Sequence, residues 1–310
     1  ASIWRRRPGS REMRRMRIDV ARVRRAFSRA APAYDAIATL QHQVEAQLLD
    51  RLDLLKEAPL RILDVGAGPG RASAAMRKRF PKAEVVALDL ALPMLREAKS
   101  RAGWWKPFRR VCGDARALPI ADASVDLLFS SLCLQWCEDL EAVFDEFRRV
   151  LRPGGWLLFT TFGPDTLTEL RQSWAAVDDD PHVNVFIDMH DVGDRLLAAG
   201  FRDPMLDVDH YDLRYSDPKI LMRELKGIGA GNADAGRARG LTGRRKLATL
   251  LAAYEGFRGA DGRYPASYEV VYAQARAPDG MQPRRRGGTD IAAVSVDSLR
   301  AQLKARRRES

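Results

Sequence analysis

Three carboxylates and one glycine-rich loop are the residues of this chain whose types and spacing could do chemistry. Residues 62–70 read Ile-Leu-Asp-Val-Gly-Ala-Gly-Pro-Gly, so an apolar run leads into Asp64 and then into closely spaced glycines. Such loops bind nucleotides, because their backbone N–H groups and the N-terminus of the next helix face the ligand. Asp64, however, puts a negative charge where a phosphate would lie, and a cleft of low dielectric penalises that. The loop therefore predicts a nucleoside ligand that carries a cation and no phosphate.

Two further acids follow at the ends of the next two predicted strands. Asp89 ends the apolar run 83–90, and an acid at that place suits two ribose hydroxyls. Asp114 lies near the end of the run 111–115, where it could accept a hydrogen bond from an adenine amino group. S-adenosylmethionine offers all of these groups, because it carries a sulfonium, an ammonium and an adenosine. Each acid alone could be a surface or capping residue, and it is their order after the loop that favours a methyl-donor site.

The alternation of short apolar runs and helical stretches predicts the architecture that must position these acids. A helix is predicted at 140–151, followed by a turn at 152–155. The remaining strands are predicted at 124–132, 156–162, 205–215 and 268–275, the last two as an antiparallel hairpin. The fold class is therefore α/β, with a doubly wound, mostly parallel seven-stranded sheet and ligands at the carboxyl ends of its strands.

Two helical additions to the sheet are predicted. After Pro32 an apolar stripe recurs at spacings of three and four, which is typical of an amphipathic helix. Its members are Tyr34, Ile37, Leu40, Val44, Leu48, Leu52 and Leu55. We interpret residues 20–56 as an N-terminal helical cap over the cofactor cleft. Residues 217–262 are too long for a turn and carry helical stretches, so we interpret them as a helical lid insertion.

The order of motifs over residues 60–162 resembles the class I S-adenosylmethionine-dependent methyltransferases, whose sheet is Rossmann-like. Flanking segments narrow the resemblance. They read Ala-Phe-Ser-Arg-Ala-Ala-Pro-Ala-Tyr-Asp-Ala-Ile-Ala-Thr-Leu-Gln at 26–41, Ser-Leu-Cys-Leu-Gln-Trp at 131–136, Leu-Lys-Gly-Ile-Gly-Ala at 225–230 and Gly-Arg-Tyr-Pro-Ala-Ser-Tyr at 262–268. Together with the core, over about residues 20–275, these segments resemble the family of malonyl-[acyl-carrier protein] O-methyltransferases.

The resemblance implies a reaction and a cofactor site. The reaction is methyl transfer from S-adenosylmethionine to the free carboxylate of a malonyl thioester on acyl carrier protein, and the methyl ester primes the pimeloyl route to biotin. Malonyl-coenzyme A remains an alternative acceptor. The cofactor-binding residues expected on this interpretation are Asp64, Gly66, Ala67, Gly68, Gly70, Asp89, Leu90, Asp114, Ala115 and Ser131.

The acceptor side needs no general base, because a malonyl carboxylate is already ionised at neutral pH. The four histidines, His42, His182, His190 and His210, fit no nucleophile–base pattern, and we expect surface or packing roles for them. Catalysis would rest on positioning the carboxylate in a site cleared of water. The positioning candidates are Tyr34, Gln41, Gln135, Trp136, Arg223 and Lys226. Tyr34 could instead attach the N-terminal helix to the sheet, and Trp136 could be a core residue.

Charge predicts the partner and the limits of the domain. The net charge is +11, but residues 1–25 carry +8 and residues 276–310 carry +5, so the remaining chain stands at −2. We therefore divide the chain into a basic tail (1–19), a methyltransferase domain (20–277) and a second basic tail (278–310), and we expect translation to start at Met13 or Met16. Basic lid residues would attract an acidic carrier protein. They are Arg223, Lys226, Arg237, Arg239, Arg244, Arg245 and Lys246.

Several classes of protein are disfavoured. No apolar run reaches the roughly 20 residues of a membrane span, and no secretory signal is recognisable. Cys112, Cys133 and Cys137 have no metal-binding spacing, and their odd number argues against a disulfide framework. We expect a cytoplasmic monomer that uses no metal and binds neither nucleic acid nor a membrane.

Three other functions stay open from the residues alone. One is a methyltransferase for a free small carboxylic acid, which would need no carrier protein. Another follows from a second resemblance, because residues 130–136 and 162–171 are also similar to complex I assembly factors that hydroxylate an arginine. Those proteins lack the full 26–41 pattern. The third is a binding protein that keeps the fold without acceptor geometry.

Overall fold

The computed structural model describes residues 18–104, 107–237, 240 and 242–280, and the backbone of 284–286 and 289–291. The N-terminal tail to residue 17, Arg239 and most of the C-terminal tail lie outside the described residues. None of the described helices combines the length and apolar character that crossing a bilayer requires.

Seven strands form one sheet in the order β3-β2-β1-β4-β5-β7-β6. They are β1 Arg61–Val65, β2 Glu84–Asp89, β3 Arg109–Cys112, β4 Val125–Ser130, β5 Leu151–Phe162, β6 Arg202–Tyr215 and β7 Tyr264–Arg276. Strands β1 to β5 pair in parallel, and β7 runs antiparallel between β5 and β6. The strand order reverses at β1 and β4, which is where such sheets open a ligand crevice. The predicted Rossmann-like, mostly parallel fold class is confirmed.

Ten α-helices accompany the sheet in the described residues. They are α1 Val20–Ala30, α2 Tyr34–Ile37, α3 Thr39–Asp50, α4 Arg71–Arg79, α5 Leu92–Arg101, α6 Leu140–Val150, α7 Thr168–Ala175, α8 Met189–Ala198, α9 Pro218–Gly227 and α10 Arg244–Tyr254. A short antiparallel pair, β8 Arg284–Arg286 and β9 Thr289–Ile291, follows the sheet.

The core lies on both faces of the sheet. Ile62 belongs to one apolar cluster, together with Leu48 of α3 and Met76 of α4. Leu63 belongs to the other cluster, together with Phe144 of α6. Neighbouring residues of β1 thus face opposite layers, as the alternation of side chains along a strand requires. The sheet is buried between two helical layers, and its carboxyl edge is left to form the site.

The helix predicted from the apolar stripe that begins at Tyr34 is not continuous. Ala38 donates its N–H to the carbonyl of Tyr34 at 2.9 Å and then takes a ψ of +49°. This backbone turn interrupts the helical path, so Tyr34 lies on the single turn α2 and Gln41 lies on α3. The apolar stripe is nevertheless buried from Leu40 to Leu52.

Three other boundaries differ from the predicted ones. Residues 152–155 belong to β5 instead of a separate turn, and β4 pairs with β5 on both sides of them, at Leu151 and at Trp156; the register shifts between these pairs, where Gly154 takes a φ of +70°. β3 ends at Cys112, so Asp114 follows the strand. Ile18 and Asp19 lie inside the fold instead of in a tail, since Ile18 is 5% exposed and bridges to Asp234.

Candidate active site

The glycine-rich loop joins β1 to α4 and is closed onto the end of β2. The N–H groups of Gly66 and Ala67 donate to the carbonyl of Leu88 at 2.8 and 3.0 Å. The N–H of Gly68 donates to Asp89 Oδ2 at 2.9 Å. A Cβ on Gly66 would lie 2.6 Å from Cys133 Cβ, which real Cβ atoms essentially never do. The loop therefore needs glycine at 66 both for its φ of +75° and for this close approach.

A cleft opens above this loop at the carboxyl edge of the sheet, and we call it the cofactor cleft. Predicted site residues that line it are Tyr34, Gly66, Gly68, Asp89, Leu90, Asp114, Ala115, Ser131 and Trp136. Val20, Val23 and Phe27 of α1 line it as well, so the N-terminal helix forms one wall of the cleft. The structure thus brings residues from α1, from β1 and β2, and from the loops that follow β3 and β4 to one cavity.

Asp89 lies in the cofactor cleft with both carboxylate oxygens oriented by the backbone. Oδ1 accepts from the N–H of Ala91 at 2.7 Å, and Oδ2 accepts from Gly68. Burial raises the pKa of Asp89 to about 6, against the lowering effect of these two hydrogen bonds. At neutral pH the carboxylate is ionised and retains free lone pairs that can accept from two neighbouring hydroxyls.

Asp114 is held by Arg116. The Arg116 side chain donates to both carboxylate oxygens, with Nη2 2.6 Å from Oδ2, and its N–H donates to Oδ1. These bonds lower the pKa of Asp114, so it is ionised. Arg116 was not predicted as a site residue, although it lines the same cleft. It fixes the carboxylate that the sequence predicts to accept from an adenine amino group.

A second, smaller chamber continues from the cleft behind the glycine-rich loop, and we call it the polar chamber. It shares Tyr34, Gly66, Gly68 and Ser131 with the cofactor cleft. Its other lining residues include Gln41, His42, Glu45, Asp64, Ala67 and Arg71. Asp64 is 2% exposed and accepts a hydrogen bond from Ser73 Oγ at 2.6 Å. Glu45 and Arg71 were missed by the sequence argument.

A third cavity, which we call the acceptor pocket, lies on the other side of Trp136. Its apolar walls include Phe162, Trp174, Phe186, Met222, Leu225 and Tyr268. Its polar lining includes Gln41, His182, Asn184, Lys226 and Asn232. Trp136 lines both this pocket and the cofactor cleft, and its ring packs edge-on against Phe27 with centroids 5.3 Å apart. Two different ligands can therefore meet at Trp136.

Comparisons with known proteins identify the family of the chain. A model of the methyltransferase domain matches residues 63–159. Over 282 residues the chain is 54% identical to the malonyl-[acyl-carrier protein] O-methyltransferase of Xylella fastidiosa (strain M23), covering 91% of this chain and 96% of that protein. The chain belongs to the malonyl-[acyl-carrier protein] O-methyltransferase family. A protein of that name from Methylovorus sp. (strain MP688) is 50% identical over 281 residues, which cover 86% of this chain and 94% of the relative.

Solved structures of distant relatives show the same fold. The YcgJ protein from Bacillus subtilis superposes with a TM-score of 0.56 at 17% identity, covering 77% of this chain and all of that one. A Bacillus halodurans protein named as a candidate methyltransferase gives 0.55 at 19% identity, covering 75% and 99%. At these identities the likeness concerns the fold alone.

Within this methyltransferase the remaining predicted residues occupy three kinds of place. Gln41 and Lys226 line the acceptor pocket. Gln135 belongs to none of the three cavity linings, and its Nε2 donates to the carbonyl of Leu132 at 2.8 Å. Arg223 is exposed outside the linings, with Nε donating to the carbonyl of Lys219. Gly70 also lies outside the linings, at the start of α4. Between the two basic candidates, the geometry thus favours Lys226 for a ligand carboxylate.

The histidines are less uniform than expected. His182 lines the acceptor pocket, where it stacks on Trp174 with ring centroids 3.6 Å apart and bonds to Asp178 at 2.6 Å. Its position was not foreseen, because Trp174 and His182 are joined by a loop without periodic pattern. Asp178 also pairs with Lys246 at 2.6 Å, which ties α10 to this loop. Asp178, Asp180 and His182 have ligand atoms close enough to hold a metal ion, but Lys246 already neutralises Asp178.

The basic lid residues are spread over different surroundings. Lys246 is paired with Asp178, while Arg237 donates to the carbonyl of Asp234. Arg244 and Arg245 are exposed at the start of α10. A denser basic surface lies on α1, where Arg22, Arg25 and Arg29 follow at spacings of four or three beside Arg237 of the lid. We call these three residues the arginine face.

Proposed function

We propose that this chain transfers a methyl group from S-adenosylmethionine to the free carboxylate of a malonyl thioester carried by acyl carrier protein. The product, a malonyl methyl ester, would prime pimeloyl synthesis for biotin. The observation that carries the proposal is the meeting of a nucleoside cleft and an aromatic pocket at Trp136 in a chain of this family.

The cleft residues fit the methyl donor. Asp89 offers an oriented carboxylate to the ribose hydroxyls, and Asp114, held by Arg116, offers one to the adenine amino group. When bound, S-adenosylmethionine supplies a sulfonium methyl group that a nucleophile can displace. The residues of α1 and Trp136 would then exclude water from this group, which favours transfer to an anionic oxygen.

The acceptor pocket fits a small anion on an alkyl arm. Its aromatic walls suit the thioester arm, and Lys226 at its rim offers a cation for the carboxylate. Tyr34 lines the cleft, and burial raises the pKa of its hydroxyl, so the group stays protonated and can donate a hydrogen bond. Because the carboxylate is ionised at neutral pH, these residues need only to position it.

Carrier-protein docking is assigned to the arginine face together with the lid. Arg22 donates from Nε to the carbonyl of Asn232 at 3.0 Å, and Asn232 lines the acceptor pocket. Burial lowers the pKa of Arg22, and so do Arg237, Arg25 and Arg29, which shows that these positive charges are neighbours. A cluster of like charges at a pocket mouth attracts an acidic partner.

The decisive experiment is methyl transfer from labelled S-adenosylmethionine to three acceptors. We expect label in malonyl-carrier protein, a slower rate with malonyl-coenzyme A and little transfer to free malonate. Equal rates with all three would contradict the carrier-protein assignment. Transfer to none of them, with cofactor binding intact, would favour the hydroxylase or binding-protein alternatives.

A further inference from the structure

The polar chamber is lined by more acidic than basic side chains. Asp64 is 2% exposed, and the side chain of Glu45 is 17% exposed. Arg71 is the nearby cation, with Nε 3.4 Å from Glu45 Oε1 and a side chain that is 42% exposed. Two enclosed carboxylates thus face one partly solvated guanidinium. The chamber has a volume of about 40 Å³, which is room for a small charged group, and it shares lining residues with the cofactor cleft.

Neither acid is fully compensated by protein groups. Burial and the charge of Asp64 together raise the pKa of Glu45 to about 7, against the lowering effect of Arg71. Burial also raises the pKa of Asp64 to about 7, opposed by Ser73 and aided by Asp89. The other titratable groups that line the chamber are Tyr34, which stays protonated, and His42, whose pKa burial lowers. A bound cation would supply the missing positive charge.

We propose that Glu45 joins Asp64 in binding the α-ammonium group of S-adenosylmethionine, and that Arg71 binds its α-carboxylate. The proposal rests on the proposed function only for the methyl donor and not for the acceptor. A zwitterion matches the chamber, since an ammonium suits two carboxylates and a carboxylate suits a guanidinium. Glu45 comes from α3 and Arg71 from the first turn of α4, so both lie outside the glycine-rich loop.

Cofactor binding is then coupled to protonation. The ammonium group stabilises the ionised form of both acids, so the acid pair that holds protons near pH 7 loses them when the ligand arrives. We expect release of up to about one proton near neutral pH. Binding should strengthen as pH rises through 7 and weaken below it.

Calorimetric binding of three ligands distinguishes the role of Glu45 from that of Arg71. S-adenosylmethionine has both charged groups, its decarboxylated form keeps only the amine, and 5′-methylthioadenosine has neither. We expect Glu45→Gln to weaken the first two by about tenfold and Arg71→Gln to weaken only the first, by a similar factor. Binding of 5′-methylthioadenosine should be unchanged in both variants, which also shows that they are folded.

The control variant is Glu57→Gln, which changes an exposed glutamate beyond α3 and should alter none of the three affinities. The proposal is overturned if Glu45→Gln weakens all three ligands equally, or if Arg71→Gln weakens the decarboxylated ligand as much as the complete one. It is also overturned if proton release, measured in buffers of different ionisation enthalpy, is the same in Glu45→Gln as in the unchanged protein. Failure of methyl transfer to malonyl-carrier protein would refute the proposed acceptor while these binding results stand.

Discussion

At the residue scale, two glycines of the loop are required for different reasons, a left-handed backbone and a close approach of another side chain. Gly66 and Gly68 both have positive φ, at +75° and +52°. Only Gly66 is also crowded, because Cys133 lies where its Cβ would be, whereas no described heavy atom lies within 4 Å of a Cβ on Gly68. The sequence predicted the loop, since glycine spacing is a local property. Glu45 and Arg71 were not predicted, because only tertiary contact between α3 and α4 brings them together.

Replacing Gly66 and Gly68 by alanine, one at a time, should distinguish backbone strain from side-chain crowding. We expect Gly68→Ala to cost about 1 kcal/mol in free energy of unfolding, which is the strain of a left-handed backbone. Gly66→Ala should cost more, by about 1–3 kcal/mol, because Cys133 must move as well. Chemical denaturation of both variants measures the difference. Equal losses would mean that Cys133 yields without cost.

Asp89 is the residue on which recognition of the ribose is expected to depend. Replacing it by Asn keeps the size but removes the charge and one acceptor, so we expect the Kd for S-adenosylmethionine to rise by about 10- to 100-fold. Calorimetry provides the measurement. Asp122→Asn, an exposed acid at the opposite end of β4, is the matched control. An unchanged Kd for Asp89→Asn would remove this residue from the cofactor site.

At the element scale, α1 has two different faces. Val20, Val23 and Phe27 line the cofactor cleft, and the arginine face points away from it. Its start is fixed by Asp19, which accepts from the N–H of Arg22 at 2.9 Å and donates its own N–H to the carbonyl of Ala233. The apolar stripe after Pro32 predicted one helix beyond α1, but spacing alone could not show that the chain turns at Ala38. The turn depends on one backbone dihedral.

Truncating the contact between α1 and Trp136 should loosen this wall of the cofactor cleft without unfolding the protein. Phe27 is half-buried and packs edge-on against Trp136. We expect Phe27→Ala to weaken S-adenosylmethionine binding several-fold and to lower the free energy of unfolding by about 1–2 kcal/mol. Arg24→Ala, on the exposed side of the same helix, serves as control. If both variants bind the cofactor equally well, this contact of α1 does not support the cleft.

At the scale of the whole molecule, acidic and basic side chains gather in different places of the fold. The buried acids gather at the carboxyl edge of the sheet, and arginines gather on the helix above it. The sequence predicted this edge, because parallel strands place their ends together. The sequence placed carrier docking on the lid alone. The positive charges around Arg22 favour α1 as well, and they were missed because only the folded chain brings residues 22 and 237 together.

Reversing charge on the arginine face should impair only the carrier-bound substrate. For the double variant Arg25→Glu and Arg29→Glu we expect the KM for malonyl-carrier protein to rise about tenfold with kcat nearly unchanged. The KM for malonyl-pantetheine, which lacks the protein, should stay the same. Lys82→Glu, at the opposite edge of the sheet, is the control. A similar loss for both substrates would place these arginines at the chemistry instead of at a docking surface.

The buried acids should also make stability depend on pH. The folded-state pKa values of Glu45, Asp64 and Asp89 are about 7, 7 and 6, above their ordinary values. Between about pH 4 and 7 the folded state therefore binds more protons than the unfolded state, so the stability of the cofactor-free protein should fall as pH rises through this window. Denaturation at pH 5.5 and 7.5 checks the sign. A variant with Glu45→Gln and Asp64→Asn should show a flatter profile, and an equally steep one would contradict the assignment.

The β6–β7 hairpin gathers part of the acceptor pocket into one segment of the chain. Its pairing runs from Arg202 with Arg276 to Tyr215 with Tyr264, so the segment between the strands leaves and rejoins the sheet at a single point. That segment supplies Met222, Leu225, Lys226 and Asn232 to the acceptor pocket and nothing to the described lining of the cofactor cleft. The residues between these two strands could therefore be altered, or grafted from a relative, without changing the described lining of the cofactor cleft.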